Sequence, residues 1–217
     1  MSAIWLLITH CSCLFPIGCL IWSYKVRKEK ESLFLISRFL YTLFFSLMYH
    51  SYHVENDGFI NLDKDYQHIW TFLDSQQSSS LIVSTVLYCC RIREPWFYIF
   101  SFAMDTFLLI LYFFNLYVII IYLLIIITFI TFVFKYKTII RFLKYFLFTS
   151  IFCILFSVVS FYCYFYYSYG TNNSEYILYH SLWHVFIFLC AANGIVLRFK
   201  LNNHLYPIQN RPTLNSI

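Results

Sequence analysis

The sequence predicts an all-α polytopic membrane protein, a seven-transmembrane-helix bundle with its N-terminus outside or luminal and its C-terminus cytoplasmic. Three observations predict it. The first is composition: 61% of the 217 residues are hydrophobic and only 12% are charged, against about 25% charged residues in an ordinary soluble domain. So little charge cannot keep a soluble surface hydrated, which excludes a cytosolic globular enzyme. So much apolar material equally excludes a disordered chain. The second observation is that the apolar residues fall into stretches of roughly bilayer length, about 20 residues each. The third is the placement of the basic residues between those stretches. The 26 Phe and 20 Tyr fit the codon bias of an AT-rich genome and carry no function by themselves.

The stretches run in order over about 3–24, 33–54, 67–90, 96–114, 116–134, 145–168 and 177–198. The first lacks a basic leading segment and a small-residue cleavage site, and reads as a retained helix rather than a signal peptide. The second follows Lys25, Arg27, Lys28 and Lys30 and holds Arg38 just inside its inner end, from where the long side chain can snorkel to the interface. In the third, Asp74 is followed directly by Ser75, Gln76, Gln77, Ser78, Ser79 and Ser80. So polar a run cannot face lipid and should line the bundle interior or a water-accessible cavity. The run from Trp96 to Phe134 is broken only by Asp105 and Asn115. As one helix it would reach about 60 Å, twice the hydrocarbon thickness, so it divides into two spans with a tight turn near Asn115.

Seven spans put fourteen of the fifteen Lys and Arg on one side, with Lys64 alone opposite. That is the positive-inside pattern, and it sets the N-terminus outside and the tail inside. Merging the fourth and fifth spans would put the 135–144 cluster and the tail on opposite sides. Residues 1–200 read as a single seven-transmembrane domain and 201–217 as a flexible cytoplasmic tail. Asn172 forms a glycosylation sequon on the outer side. A net charge of +5 would suggest nucleic acid in a soluble protein, but its distribution here follows the membrane and implies no nucleic-acid partner. The eight cysteines have no zinc-ribbon spacing and read as small buried hydrophobes.

Ionisable residues inside membrane spans are expensive and are functional candidates by default. Span two runs outward, so His50 lies one turn below its outer end. Span three runs inward, placing Asp74 roughly 10 Å down, and span seven places His180 and His184 roughly 6 and 12 Å down. Three helices thus bring His, Asp and a His pair to one shallow layer. His180 and His184 are i and i+4, the spacing with which one helix face offers two imidazoles to a zinc ion. Ser46 lies at i−4 from His50, on the same face.

These residue types fit hydrolytic zinc chemistry. Three neutral imidazoles, His50, His180 and His184, would leave a tetrahedral position open for water, whose pKa zinc lowers toward about 7. Asp74 would orient that water and take its proton. Ser46 would hydrogen-bond the water or the developing oxyanion. Around this set, His53 reads as interfacial and an alternative ligand, His68 as solvated, and His10 as a packing residue. His204 reads as part of the tail, and Asp105 as structurally paired inside the bundle.

The same residues resemble a known group. Ser46-x3-His50 in span two, an acidic residue in span three and His180-x3-His184 in span seven are similar to the CREST superfamily, which includes alkaline ceramidases, progestin/adiponectin receptors and Per1-type lipid-remodelling proteins. The wording is closest to its transmembrane protein 8/myomaker family. Ser46-Leu-Met-Tyr-His50, Phe72-Leu73-Asp74 and Tyr179-His180-Ser181-Leu182-Trp183-His184 resemble that family's second, third and seventh spans. The resemblance implies a zinc site with three His ligands and with Ser and Asp around the bound water. It also implies one of two roles. One is a zinc-dependent intramembrane hydrolase acting on a lipid amide or ester, ceramide-like or GPI-acyl-like, with Asp74 matching the hydrolytic members. The other is a non-catalytic, myomaker-like protein of cell fusion or lipid sensing with a structural zinc. A membrane lipid is the expected partner, and the plasma membrane or the endoplasmic reticulum/Golgi membrane the expected location. A transporter is disfavoured, since no internal repeat or charged pathway is present.

Overall fold

The computed structural model describes residues 8–53, 67–92, 94–114, 126, 130–131, 133–169 and 173–205. Among the described residues there is no strand, and the chain forms seven bounded helices. A 3-10 turn, His10–Cys13, leads into α1 (Leu14–Arg27). Then come α2 (Lys30–His53), α3 (Gln67–Cys89) and α4 (Trp96–Phe113). The last three are α5 (Tyr136–Tyr145), α6 (Leu147–Tyr169) and α7 (Asn173–Leu205). The predicted turn near Asn115, the acidic loop between spans two and three, and the sequon at Asn172 lie outside the described residues.

Local chemistry accounts for the breaks. Pro16 sits in the first turn of α1, where its missing N–H costs no intrahelical bond. The helix stops at Lys28, which takes a left-handed conformation (φ 56°) and returns its N–H to the Tyr24 carbonyl at 2.7 Å. Glu31 in the first turn of α2 complements the positive end of that helix's dipole. Helix α4 begins beyond Pro95, whose carbonyl accepts the N–H groups of Tyr98 and Ile99.

Two of these helices, Lys30–His50 within α2 and Leu178–Leu205 within α7, are each long and apolar enough to cross a membrane. Helices α5 and α6 qualify only as a pair, bent by 118° at a short break. The apolar part of α4, Trp96–Leu111, is shorter than a full crossing. Large apolar side chains on the outer faces are widely exposed, among them Phe15, Phe113, Phe148 and Val158. Exposed apolar surface on this scale belongs in lipid.

Helix α7 is the axis of the packing. It lies along α6, and it also meets α1, α3 and α5, while α2 packs between α1 and α3, and α4 covers α3. Ile17, Leu20, Leu35, Phe39, Tyr88 and Ile195 centre the main core. Gly194 lets α7 approach α3 closely, since a Cβ there would stand 2.8 Å from the Cys89 sulfur. Helix α7 also continues to Leu205, five residues into the segment expected to be a flexible tail. Leu201 is fully buried against Phe142, and this packing is what extends the helix.

Two polar clusters tie the helices together. At one end, the Arg198 guanidinium lies 3.6 Å from the centre of the Tyr88 ring and donates to the Tyr88 carbonyl and to Glu29. Asn202 donates to Glu29 at 2.9 Å, and Arg27 donates to the Asn202 carbonyl at 2.8 Å. The fully buried Tyr88 hydroxyl meets Ser23, Ser32 and Glu29. Nearer the middle, Arg38 on α2 donates to Asp105 on α4, and Ser80 on α3 donates to the same carboxylate. This bears out the expectation that Asp105 is paired inside the bundle. It corrects the expectation for Arg38, which is buried rather than snorkelling, because its partly buried counter-ion lies beside it inside the bundle.

Candidate metal centre

The candidate site lies at the opposite end of α1 and α7 from the Arg198 cluster, about 20 Å along α7 at 1.5 Å per residue. Helix α2 presents a polar residue every fourth position, Arg38, Thr42, Ser46 and His50, and all four are buried. Such spacing keeps successive side chains on neighbouring faces of a helix. Thr42 donates to the Gln77 carbonyl of α3, Ser46 meets His10 of the 3-10 turn, and His50 faces the histidines of α7.

His50 on α2 and His184 on α7 face each other with Nε2 atoms 3.4 Å apart. The His180 ring centre lies 4.6 Å from that of His50 and 4.7 Å from that of His184. All three side chains are buried. The fold therefore brings together the three histidines expected as ligands. Zinc–nitrogen bonds of about 2.0–2.1 Å in a tetrahedron hold two nitrogens roughly 3.3 Å apart, so the His50–His184 spacing suits a shared ion. It equally suits an N–H···N hydrogen bond between neutral tautomers.

The structure adds a fourth imidazole. His10, in the 3-10 turn before α1, is 1% exposed, with its ring centre 4.1 Å from that of His184 and 5.1 Å from that of His50. His10, His50 and His184 each offer a nitrogen, all within 4.8 Å of one another, a group compact enough to hold a metal ion. The reading of His10 as a packing residue is corrected accordingly. The Ser12 hydroxyl donates to the Thr9 carbonyl at 2.5 Å within this turn, and its oxygen lies 3.3 Å from the His184 carbonyl oxygen. A depth signal was present in the sequence: seven residues into an inward-running first span, His10 lies about 10 Å down, level with Asp74.

Ser46 and Asp74 join the cluster from α2 and α3. His10 Nε2 is 2.9 Å from Ser46 Oγ, and the Ser46 hydroxyl is hydrogen-bonded to the Asp74 carboxyl. Ser78 donates a longer bond to Asp74 at 3.4 Å. Of the polar run after Asp74, Gln76 and Ser80 are buried as expected, whereas Ser75 faces outward. Tyr49, Trp183 and Phe188 pack their rings against His50 and His184, so the polar atoms sit within an aromatic wall. The side chains of His53 and His68 are outside the described residues. His204 is not in a free tail but in the last turn of α7, its ring 4.5 Å from that of Tyr145.

The donor set is chemically suited to a borderline-soft divalent ion, for which neutral imidazole is a common ligand. No protein-family model, characterised protein or solved structure matches the chain. The class that the fold and site define is thus an all-helical membrane protein with a buried histidine cluster able to hold a metal.

Proposed function

We propose that the protein is a zinc-dependent intramembrane hydrolase of a lipid amide or ester, organised as a seven-span, CREST-like bundle. The observation that carries this reading is the continuity of the site. Four buried imidazoles are joined through Ser46 to a carboxylate, within one layer of a membrane protein. Bound zinc would supply a Lewis acid and an acidified water. His50, His180 and His184 are the proposed ligands. Asp74 accepts the proton released in the reaction, and the Ser46 hydroxyl, which donates to Asp74 while that carboxylate is charged, turns its proton toward the scissile carbonyl oxygen once Asp74 is protonated. The aromatic wall keeps bulk water out and gives an acyl chain an apolar surface to lie against.

His10 decides how these roles divide. The Ser46 hydroxyl carries one proton. When that proton is directed to Asp74, Oγ accepts from His10, which then holds its own proton on Nε2. An Nε2 bearing that proton has no lone pair for a metal, so only Nδ1 of His10 could ligate. In the proposed division of roles His10 supports Ser46 and keeps Nδ1 off the ion, leaving three imidazoles and an open position.

The count of four imidazoles favours a second reading. If His10 turns its lone pair to the ion, the shell closes, and closed four-ligand shells suit structural metals. The protein would then be a non-catalytic membrane component of fusion or lipid sensing. Substitution Asp74→Asn separates the two. Zinc content should stay at one per chain while release of fatty acid from ceramide or acylated GPI lipid falls by roughly 10²–10⁴-fold. A wild-type protein that binds zinc yet releases no fatty acid from either lipid class would defeat the hydrolase reading.

A further inference from the structure

The described ion pairs engage Arg27, Arg38 and Arg198 with the partly buried carboxylates of Glu29 and Asp105. The contrast lies on α5. Lys137, Arg141 and Lys144 fall at i, i+4 and i+7, so they form one stripe along a ten-residue helix. All three are exposed, and none takes part in the described ion pairs. No Asp or Glu occurs in the sequence between Asp105 and Glu175. On the other side of the helix, Phe142 docks against Leu197 and Leu201 of α7, while Tyr136, Ile140 and Leu143 stay substantially exposed. The following helix, α6, leaves at 118°. So large a turn takes α5 well away from the direction of its neighbour. An apolar edge and a basic stripe on one short helix are the features of an interfacial segment.

Beside the start of α5 is a cavity of about 460 Å³, lined by Arg91, Glu94, Trp96, Phe100, Lys135 and Thr138. Its two cations outnumber its one acid. We propose that α5 is an interfacial helix that binds anionic phospholipid. The basic stripe Lys137, Arg141 and Lys144 contacts headgroup phosphates, and the neighbouring cavity seats one headgroup. The charge complementarity is one-sided, since none of the three stripe cations takes part in a described ion pair, and anionic lipid is the polyanion present at a membrane surface. Each Lys or Arg near such a surface strengthens partition roughly fivefold, so three together contribute about a hundredfold. This inference is independent of the metal centre.

The full chain purified in maltoside micelles would be titrated with dioctanoyl phosphatidylserine, phosphatidylglycerol or phosphatidylcholine, and bound lipid counted by native mass spectrometry. Phosphatidylserine and phosphatidylglycerol should be retained, and phosphatidylcholine should not. The triple change K137Q/R141Q/K144Q should lower retention about a hundredfold, and each single change about fivefold. The pair K137R/K144R should retain lipid like the wild type. Equal retention of phosphatidylcholine would overturn the proposal. So would an unaffected set of single variants, or displacement of lipid by millimolar inorganic phosphate.

Discussion

At the scale of single residues, His10 Nε2 is the most consequential atom in the site, because its 2.9 Å contact with Ser46 Oγ engages that nitrogen in a single task. Two substitutions distinguish the tasks. His10→Gln keeps an N–H donor near Ser46 and removes any imidazole ligand, whereas His10→Ala removes both. If His10 serves Ser46, both variants keep zinc, and lipid turnover falls at least tenfold in the Ala variant with partial recovery in the Gln variant. If His10 is a ligand, both lose zinc alike, as plasma emission spectrometry of the purified protein would show. The sequence made His50, His180 and His184 legible because two spacings of four and a shared depth singled them out. His10 had the same depth but no partner at helical spacing. It acts from a 3-10 turn packed against α7, which brings Ser12 beside the His184 carbonyl 172 positions away in sequence. No local pattern encodes that.

Between elements, the buried contact of Arg38 with Asp105 links α2 to α4, with Ser80 of α3 joining from between. Removing one partner of a buried ion pair leaves an uncompensated charge and costs about 3–5 kcal/mol, whereas replacing both with apolar residues is close to neutral. Asp105→Asn should therefore lower the thermal unfolding midpoint in detergent markedly, and the double change R38M/D105L should restore most of it. Failure of the double variant to recover would mean that the pair specifies helix register as well as charge balance. The sequence placed both residues inside spans, and it predicted that Asp105 needs a partner. It did not identify Arg38 as that partner, because pairing depends on the rotation of three helices about their axes. Helix boundaries were legible where charge or proline punctuates the chain. The extension of α7 to Leu205 was not, since residues 201–205 look polar locally and are held by Phe142 from a different helix.

For the whole molecule, the proposed seven-span arrangement makes a directional prediction. A reporter fused after Ile217 should be cytoplasmic, and one placed in the 55–65 loop should be accessible from outside, as protease protection of sealed vesicles would show. Opposite accessibility of either would reverse or break the topology. The all-helical class and the membrane setting were legible from composition alone, whereas the elbow between α5 and α6 was not. The basic residues of 135–144 read as a loop, and the helical period within them shows only when Tyr136, Ile140 and Leu143 are set against Lys137, Arg141 and Lys144.

The elbow has a mechanical consequence. Helix α6 has 23 residues, about 34 Å at 1.5 Å per residue, slightly more than a typical hydrocarbon core of about 30 Å. A helix longer than its bilayer relieves the mismatch by tilting. In the proposed arrangement, with α5 flat in the headgroups and α6 spanning, α6 would lean rather than slide along the normal. It is packed along α7, the helix that carries His180 and His184. Bilayer thickness would thereby be converted into an angle at the histidine cluster, and a change of thickness would turn α7 against His10 and His50.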